Sequence, residues 1–156
     1  MKKVLGFMLI MLLAGSFAFA SAQRDASAFR VDVFWYTFAD TFLASVRNSM
    51  LEQEAAMPNL RVTHHDSANN QTQQLQMIQT AITQGTSLLI VNIVTTGSED
   101  TAMNIANLAR DANVPVIFFN REVSDAVIRS YSNAAFVGTD ADEEDICRAK
   151  PLPITC

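Results

Sequence analysis

Asp40 and Phe42 stand two residues apart, and Asn120-Arg121 follows far downstream; with Tyr36, these side chains could grip a small hydroxylated ligand. An ionised carboxylate accepts hydrogen bonds, a planar amide both donates and accepts, and a guanidinium only donates; pairs that include a charge are the stronger ones. Phe42 offers a flat apolar face against which the C–H side of a ring can lie. Each of these residues also has a plainer use. Phe42 could pack into the core, and Asp, Asn, Ser and Thr commonly cap helices or form turns. Turn or cap duty is the competing expectation above all for Asp66, Ser67, Thr139 and Asp140. It is weaker for Asn120-Arg121-Glu122, where three long polar groups directly after Phe118-Phe119 exceed what a cap requires.

Other chemistries lack their residues. No Gly-x-Gly-x-x-Gly or Walker loop is present to cradle phosphates, and no Gly-x-Ser-x-Gly elbow to carry a nucleophile. His64 and His65 are the two histidines; as strand neighbours they point to opposite faces and cannot chelate one metal together. Cys147 and Cys156 are too few for a disulfide framework or a four-cysteine zinc site. A net charge of −5 argues against a nucleic-acid partner. No enzyme activity and no cofactor is expected. With 49% hydrophobic residues and few Gly and Pro in 156 residues, the chain has the composition of one folded domain rather than of a disordered segment.

The elements that must position these residues follow from periodicity. Apolar runs of strand length, Val31 to Tyr36, Leu60 to His65, Ser87 to Val94, Val116 to Phe119 and Ala134 to Val137, alternate with helix-period segments. The helices are expected over Thr41 to Glu54, with Phe42, Val46, Met50 and Leu51 on one face; over Gln71 to Gln84, with Leu75, Ile78 and Ile82 inward and Gly85 closing it; and over Asp100 to Ala112, with Met103, Ile105, Ala106, Ala109 and Ala112 inward. This alternation predicts an α/β fold with a doubly wound parallel sheet. Ligands of such sheets sit at the carboxyl ends of the strands. All five ends carry polar groups: Tyr36 and Asp40, then Asp66 to Asn70, Asn92, Asn120 to Glu122, and Thr139-Asp140.

The first 22 residues read as an address. Lys2 and Lys3, an apolar run from Val4 to Ala14 and the small-residue stretch Ala18-Phe19-Ala20-Ser21-Ala22 make a secretory signal pattern with cleavage after Ala22. The apolar run falls short of the ~20 residues that a membrane span needs, so no membrane insertion is expected after cleavage. Losing Lys2 and Lys3 takes the net charge from −5 to −7.

Four stretches carry a family resemblance: DSANNQTQQLQMIQTAITQG (66–85), IVNIV (90–94), NVPVIFFNRE (113–122) and SYSNAAFVGTD (130–140). In order and spacing they resemble the periplasmic sugar-binding proteins of ABC transporters, in their galactose/glucose branch, over residues 30–140. The resemblance implies a periplasmic-binding-protein type I fold of two lobes, of which residues 23–140 would form the first, sugar-binding lobe. It implies that Asp40 accepts from ring hydroxyls, that Phe42 stacks on one sugar face and that Asn120 bonds further hydroxyls, with Tyr36 and Arg121 beside them. It implies an extracytoplasmic receptor for a monosaccharide, working with an ABC permease and, in some relatives, a chemoreceptor. The family's calcium loop belongs to the second lobe and has no counterpart here.

After Asp140 the likeness stops, and Asp142-Glu143-Glu144-Asp145 leads into CRAKPLPITC. Residues 141–156 are therefore expected to be a divergent, disordered tail, and the chain a truncated first lobe. Half a site should bind hexoses at millimolar strength or worse, and a lobe without its returning segments should expose an apolar edge. Two rival expectations are a truncated remnant without binding function and a ligand-sensing domain akin to sugar-responsive transcription repressors; the export signal and the lack of a helix-turn-helix speak against the second.

Overall fold

A computed structural model describes residues 28–138. The expected signal segment 1–22, the tail 141–156 with Cys147 and Cys156, and Thr139-Asp140 lie outside the described residues.

Five strands, β1 (Phe29–Trp35), β2 (Leu60–Asp66), β3 (Leu88–Val91), β4 (Val116–Phe119) and β5 (Ala134–Val137), form one sheet in the order β2-β1-β3-β4-β5. Every pairing is parallel. Four helices connect them: α1 (Thr41–Ala55), α2 (Gln71–Thr83), α3 (Glu99–Asp111) and α4 (Asp125–Arg129). Alternate strand residues point to opposite faces, and the sheet accordingly separates two cores. On one face Phe34, Leu89, Val91, Val116 and Phe118 pack against Ile78 and Ala81 of α2, Ile105, Ala106 and Ala109 of α3, and Val127 of α4. On the other, Val31, Val33 and Trp35 pack against Leu43 of α1, with Val46, Met50, Ile90 and Phe119 around them. Among the described residues α1 is the helix that covers this second face.

The doubly wound parallel sheet is the expected fold, with differences of physical interest. On α1 the buried position is Leu43; Phe42 and Leu51 are 65% and 47% exposed, so the inward stripe runs Leu43-Val46-Met50. On α2 a glutamine, Gln74, is fully buried beside Ile78 and Ala81. On α3 the inward stripe is Ala102, Ile105, Ala106 and Ala109, whereas Ala112 is the exposed C-cap. The helix α4 has only five residues, too few to show a period. Strand β3 ends at Val91, although the apolar run continues to Val94.

The adjacent histidines do separate across the sheet. His64 accepts from the Trp35 indole N–H at 3.0 Å and its Nε2 lies 2.7 Å from Glu54 of α1, fastening β2 to that helix. His65 stacks on Phe34, ring centres 4.7 Å apart, with Nε2 2.7 Å from the buried Asp32. Burial pushes the Asp32 carboxyl up, but hydrogen bonds from His65 and Thr86 and the charges of His65 and Arg30 outweigh it, and the net direction is below the ordinary 3.8. A carboxyl depressed in the folded state stabilises the fold above its unfolded value and loses that contribution as pH falls through the folded one. Stability measured by urea unfolding should therefore drop as pH falls below about 4, and Asp32→Asn should flatten that slope; an unchanged slope would place the acid sensitivity elsewhere.

Candidate functional site

The loop after β1 delivers Asp40 to the start of α1 as its N-cap. Its backbone is extended (φ −74°, ψ 122°), and Oδ1 accepts the Leu43 N–H at 2.9 Å, which satisfies one of the donors a helix leaves free at its first turn. The second oxygen, Oδ2, accepts the Tyr36 hydroxyl at 2.6 Å. That hydroxyl, followed by the Leu43 N–H, holds the Asp40 carboxyl below its ordinary 3.8. The same bond pushes the Tyr36 phenol above its ordinary 10.0. At neutral pH the pair is thus a carboxylate and a neutral phenol. A carboxylate has roughly four acceptor positions, so two remain for other donors.

Arg121 comes to this pair from the loop after β4. Its guanidinium carbon sits 3.5 Å from the centre of the Tyr36 ring, and Nη1 donates to the carbonyls of Ile93 (3.1 Å) and Val94 (2.5 Å). Tyr36, Asp40 and Arg121 are therefore one contact network. Phe42 and Asn120 meet at a second feature, a groove of about 370 Å³ that they line with Leu43, Val46, Phe119, Val137 and Gly138. The exposure of Phe42 excludes core packing as its role. Asn120 has a left-handed backbone (φ 63°), a conformation asparagine adopts more readily than most residues, and its N–H bonds the Val137 carbonyl at 2.9 Å. The first turn of α1 joins the two features, since Asp40 caps the helix on which Phe42 is the second residue.

The plainer roles hold for the polar residues after β2. Asp66 Oδ1 accepts the N–H groups of Phe38 (3.1 Å) and Ala68 (2.8 Å), the buried Ser67 accepts from Gln74, and Asn70 caps α2. Of two more residues at the rim, Gln74 escapes a reading by residue type, and Asn92 is the polar group expected at the end of the third strand. Gln74 donates from Nε2 to Ser67 Oγ (3.0 Å) and the Asn92 carbonyl (2.9 Å), and its Oε1 accepts the Val94 N–H (3.2 Å), tying the ends of β2 and β3 together. Asn92 itself is fully buried, and neither atom of its side-chain amide has a hydrogen-bond partner among the described residues. It is one residue past Val91, whose register partners Phe34 and Phe118 are each one residue before Trp35 and Phe119. Its signal in the sequence is isolation: one amide inside the run SLLIVNIV.

A groove of about 440 Å³ at the other end of the same face is lined mainly by apolar groups, among them Phe29, Val31, Met50, Leu60, Val62 and Ile90, with Ser49, Gln53 and Glu54 as its polar residues. Among the described residues there is no cluster of three His, Cys, Asp or Glu that could hold a metal ion, and no helix is long and apolar enough to cross a membrane.

Comparison with known proteins bears on this rim. Residues 31–143 match the periplasmic binding protein domain. The chain is 30% identical over 134 residues to the D-galactose/methyl-galactoside binding periplasmic protein of Haemophilus influenzae, a match covering 83% of this chain and 40% of that protein. Among solved structures it resembles an ABC transporter solute binding protein from Bacillus halodurans with bound myo-inositol (TM-score 0.64, 26% identity, 80% of this chain and 43% of that one). At 18% identity, a solute binding protein from Agrobacterium vitis with bound D-fucose shares the fold (TM-score 0.62, 73% and 38% of the two chains). The chain thus spans less than half the length of these relatives. With the match extending over most of the chain, and with the sheet order and strand-end rim described above, this protein belongs to the periplasmic binding protein domain family.

Proposed function

We propose that this chain provides a monosaccharide-binding surface of an extracytoplasmic receptor for an ABC sugar importer, with a pyranose of the galactose or glucose type at the rim. The observation that carries the reading is Asp40, its carboxyl held low by Tyr36, at the cap of the helix whose exposed Phe42 lines a groove with Asn120. A pyranose has hydroxyls around its edge and C–H groups on its flat faces. Asp40 would accept two of the hydroxyls with its free acceptor positions, Asn120 would bond another, and Phe42 would cover a C–H face. The relatives' ligands share this chemistry: the Haemophilus protein is a D-galactose/methyl-galactoside binding protein, and the Bacillus structure holds myo-inositol, a six-membered polyol ring. The same reading makes the protein a binder rather than an enzyme, located in the periplasm and delivering its ligand to a permease.

The buried amide of Asn92 supports the reading from another side. An unpaired polar group inside a protein costs about 1–3 kcal/mol, and a ring hydroxyl that reached this amide would relieve that cost. Asn92→Leu, close in shape and apolar, should raise folding stability by about 1 kcal/mol and weaken sugar binding at least severalfold. Urea unfolding beside a sugar titration reads both quantities, and a loss of stability would show that the amide serves the fold.

The described residues would meet one side of the ring, so affinity should be millimolar or worse, about −4 kcal/mol at best. Titrating galactose, glucose and myo-inositol separately into the ¹⁵N-labelled chain should shift the amides of Phe42, Leu43 and Asn120, and Phe42→Ala should abolish the shifts. A dispersed spectrum that none of the three sugars perturbs overturns the reading.

A further inference from the structure

By residue type and position Arg121 is expected among the groups that grip the ligand, but one nitrogen and the face of its guanidinium are engaged elsewhere. Both hydrogen bonds from Nη1 go to backbone carbonyls, those of Ile93 and Val94, and the guanidinium covers the Tyr36 ring at 3.5 Å. Tyr36 in turn donates to Asp40 at 2.6 Å. We propose that Arg121 is a positioning residue that acts on the sugar site through Tyr36: it clamps the phenol between the segment after β3 and the cap of α1, and the phenol fixes which acceptor positions of Asp40 are left free. This rests on the monosaccharide reading only for its effect on binding; the clamp itself belongs to the ligand-free chain.

The geometry requires an arginine. A planar guanidinium can lie flat on a ring while its edge donates in its own plane to carbonyls, whereas an ammonium is a point charge that cannot do both. Without the clamp, Tyr36 can rotate away, and Oδ2 of Asp40 then loses its phenolic donor. The carboxylate would keep its cap bond to Leu43 but no longer be held in one rotamer by two opposed donors. Asp40 would then pay rotamer entropy on binding that the clamp removes in advance.

The chain has two tyrosines, Tyr36 and Tyr131, and Tyr131 is buried in the core on the opposite face. Labelling both with ¹³C at Cζ gives two signals, assigned with Tyr36→Phe. In the ligand-free chain, Arg121→Met should move the Tyr36 signal and leave that of Tyr131 in place, which reports an intact fold; Arg121→Lys should fail to restore it. Against galactose, Arg121→Met and Tyr36→Phe should each weaken binding about tenfold, and the double variant no further, because groups that act as one unit do not add. A Tyr36 signal indifferent to Arg121→Met, or losses that multiply in the double variant, overturns the proposal and returns Arg121 to direct ligand contact. If the Tyr36 signal responds but no variant, nor the parent chain, binds galactose, the clamp stands and the monosaccharide reading falls.

Discussion

Because β1 lies between β2 and β3 in a parallel sheet, the chain leaves β1 towards one face, into α1, and leaves β3 towards the other, into α3. Connections that part in this way open a crevice at the strand ends. Everything at the rim follows from that divergence. Asp40 and Phe42 arrive on the connection to α1, Asn92 at the end of β3, and Asn120 and Arg121 from the loop after β4 on the other side of β3. Residues distant in sequence meet there because the ladder of Phe34 with Val91 and of Val91 with Phe118 sets three strand ends level.

Asp40 shows how a structural role can leave a side chain free for the binding role proposed for it. A helix cap uses one carboxylate oxygen and leaves the rest of its acceptor capacity free. The helix's own N-terminal N–H groups favour the ionised form, as does the hydroxyl of Tyr36, and an ionised carboxylate is what a hydroxyl-bearing ligand binds most strongly. The first turn also places Phe42 two residues on, at the edge of the groove rather than beneath the helix. Cap, charge and stacking face are therefore set by a single local event, the initiation of α1.

The strands and longer helices were legible because burial on both faces leaves continuous apolar runs, and because the connecting helices alternate with them at regular length. The grouping of Tyr36, Asp40, Phe42, Asn120 and Arg121 followed from that topology together with the family resemblance. What escaped has physical reasons. An apolar residue near a helical period reads as core, which puts Phe42 in the inward stripe of α1, yet Leu43 takes that place. Gln74 was invisible because a polar residue within a helix reads as solvent-facing; only tertiary structure shows three backbone and side-chain partners converging on its amide. The five residues of α4 were too few to carry a period at all.

The misplaced end of β3 links these points. Ile93 and Val94 are as apolar as the strand before them, and composition alone continues the strand through both. Backbone groups that leave a ladder inside a protein must find other partners, and here side chains supply them. The Asn92 carbonyl takes Gln74, those of Ile93 and Val94 take Arg121, and the N–H groups of Val94 and Thr95 bond Gln74 and Gln71. Polar residues from α2 and from the loop after β4 thus replace a neighbouring strand. A strand continued to Val94 would fill the crevice with ladder; one ended at Val91 and held by side chains leaves space for a ligand. The same substitution joins the backbone of 92–94 to Tyr36 through Arg121, so that the shape of the rim and the orientation of its acceptor are fixed together.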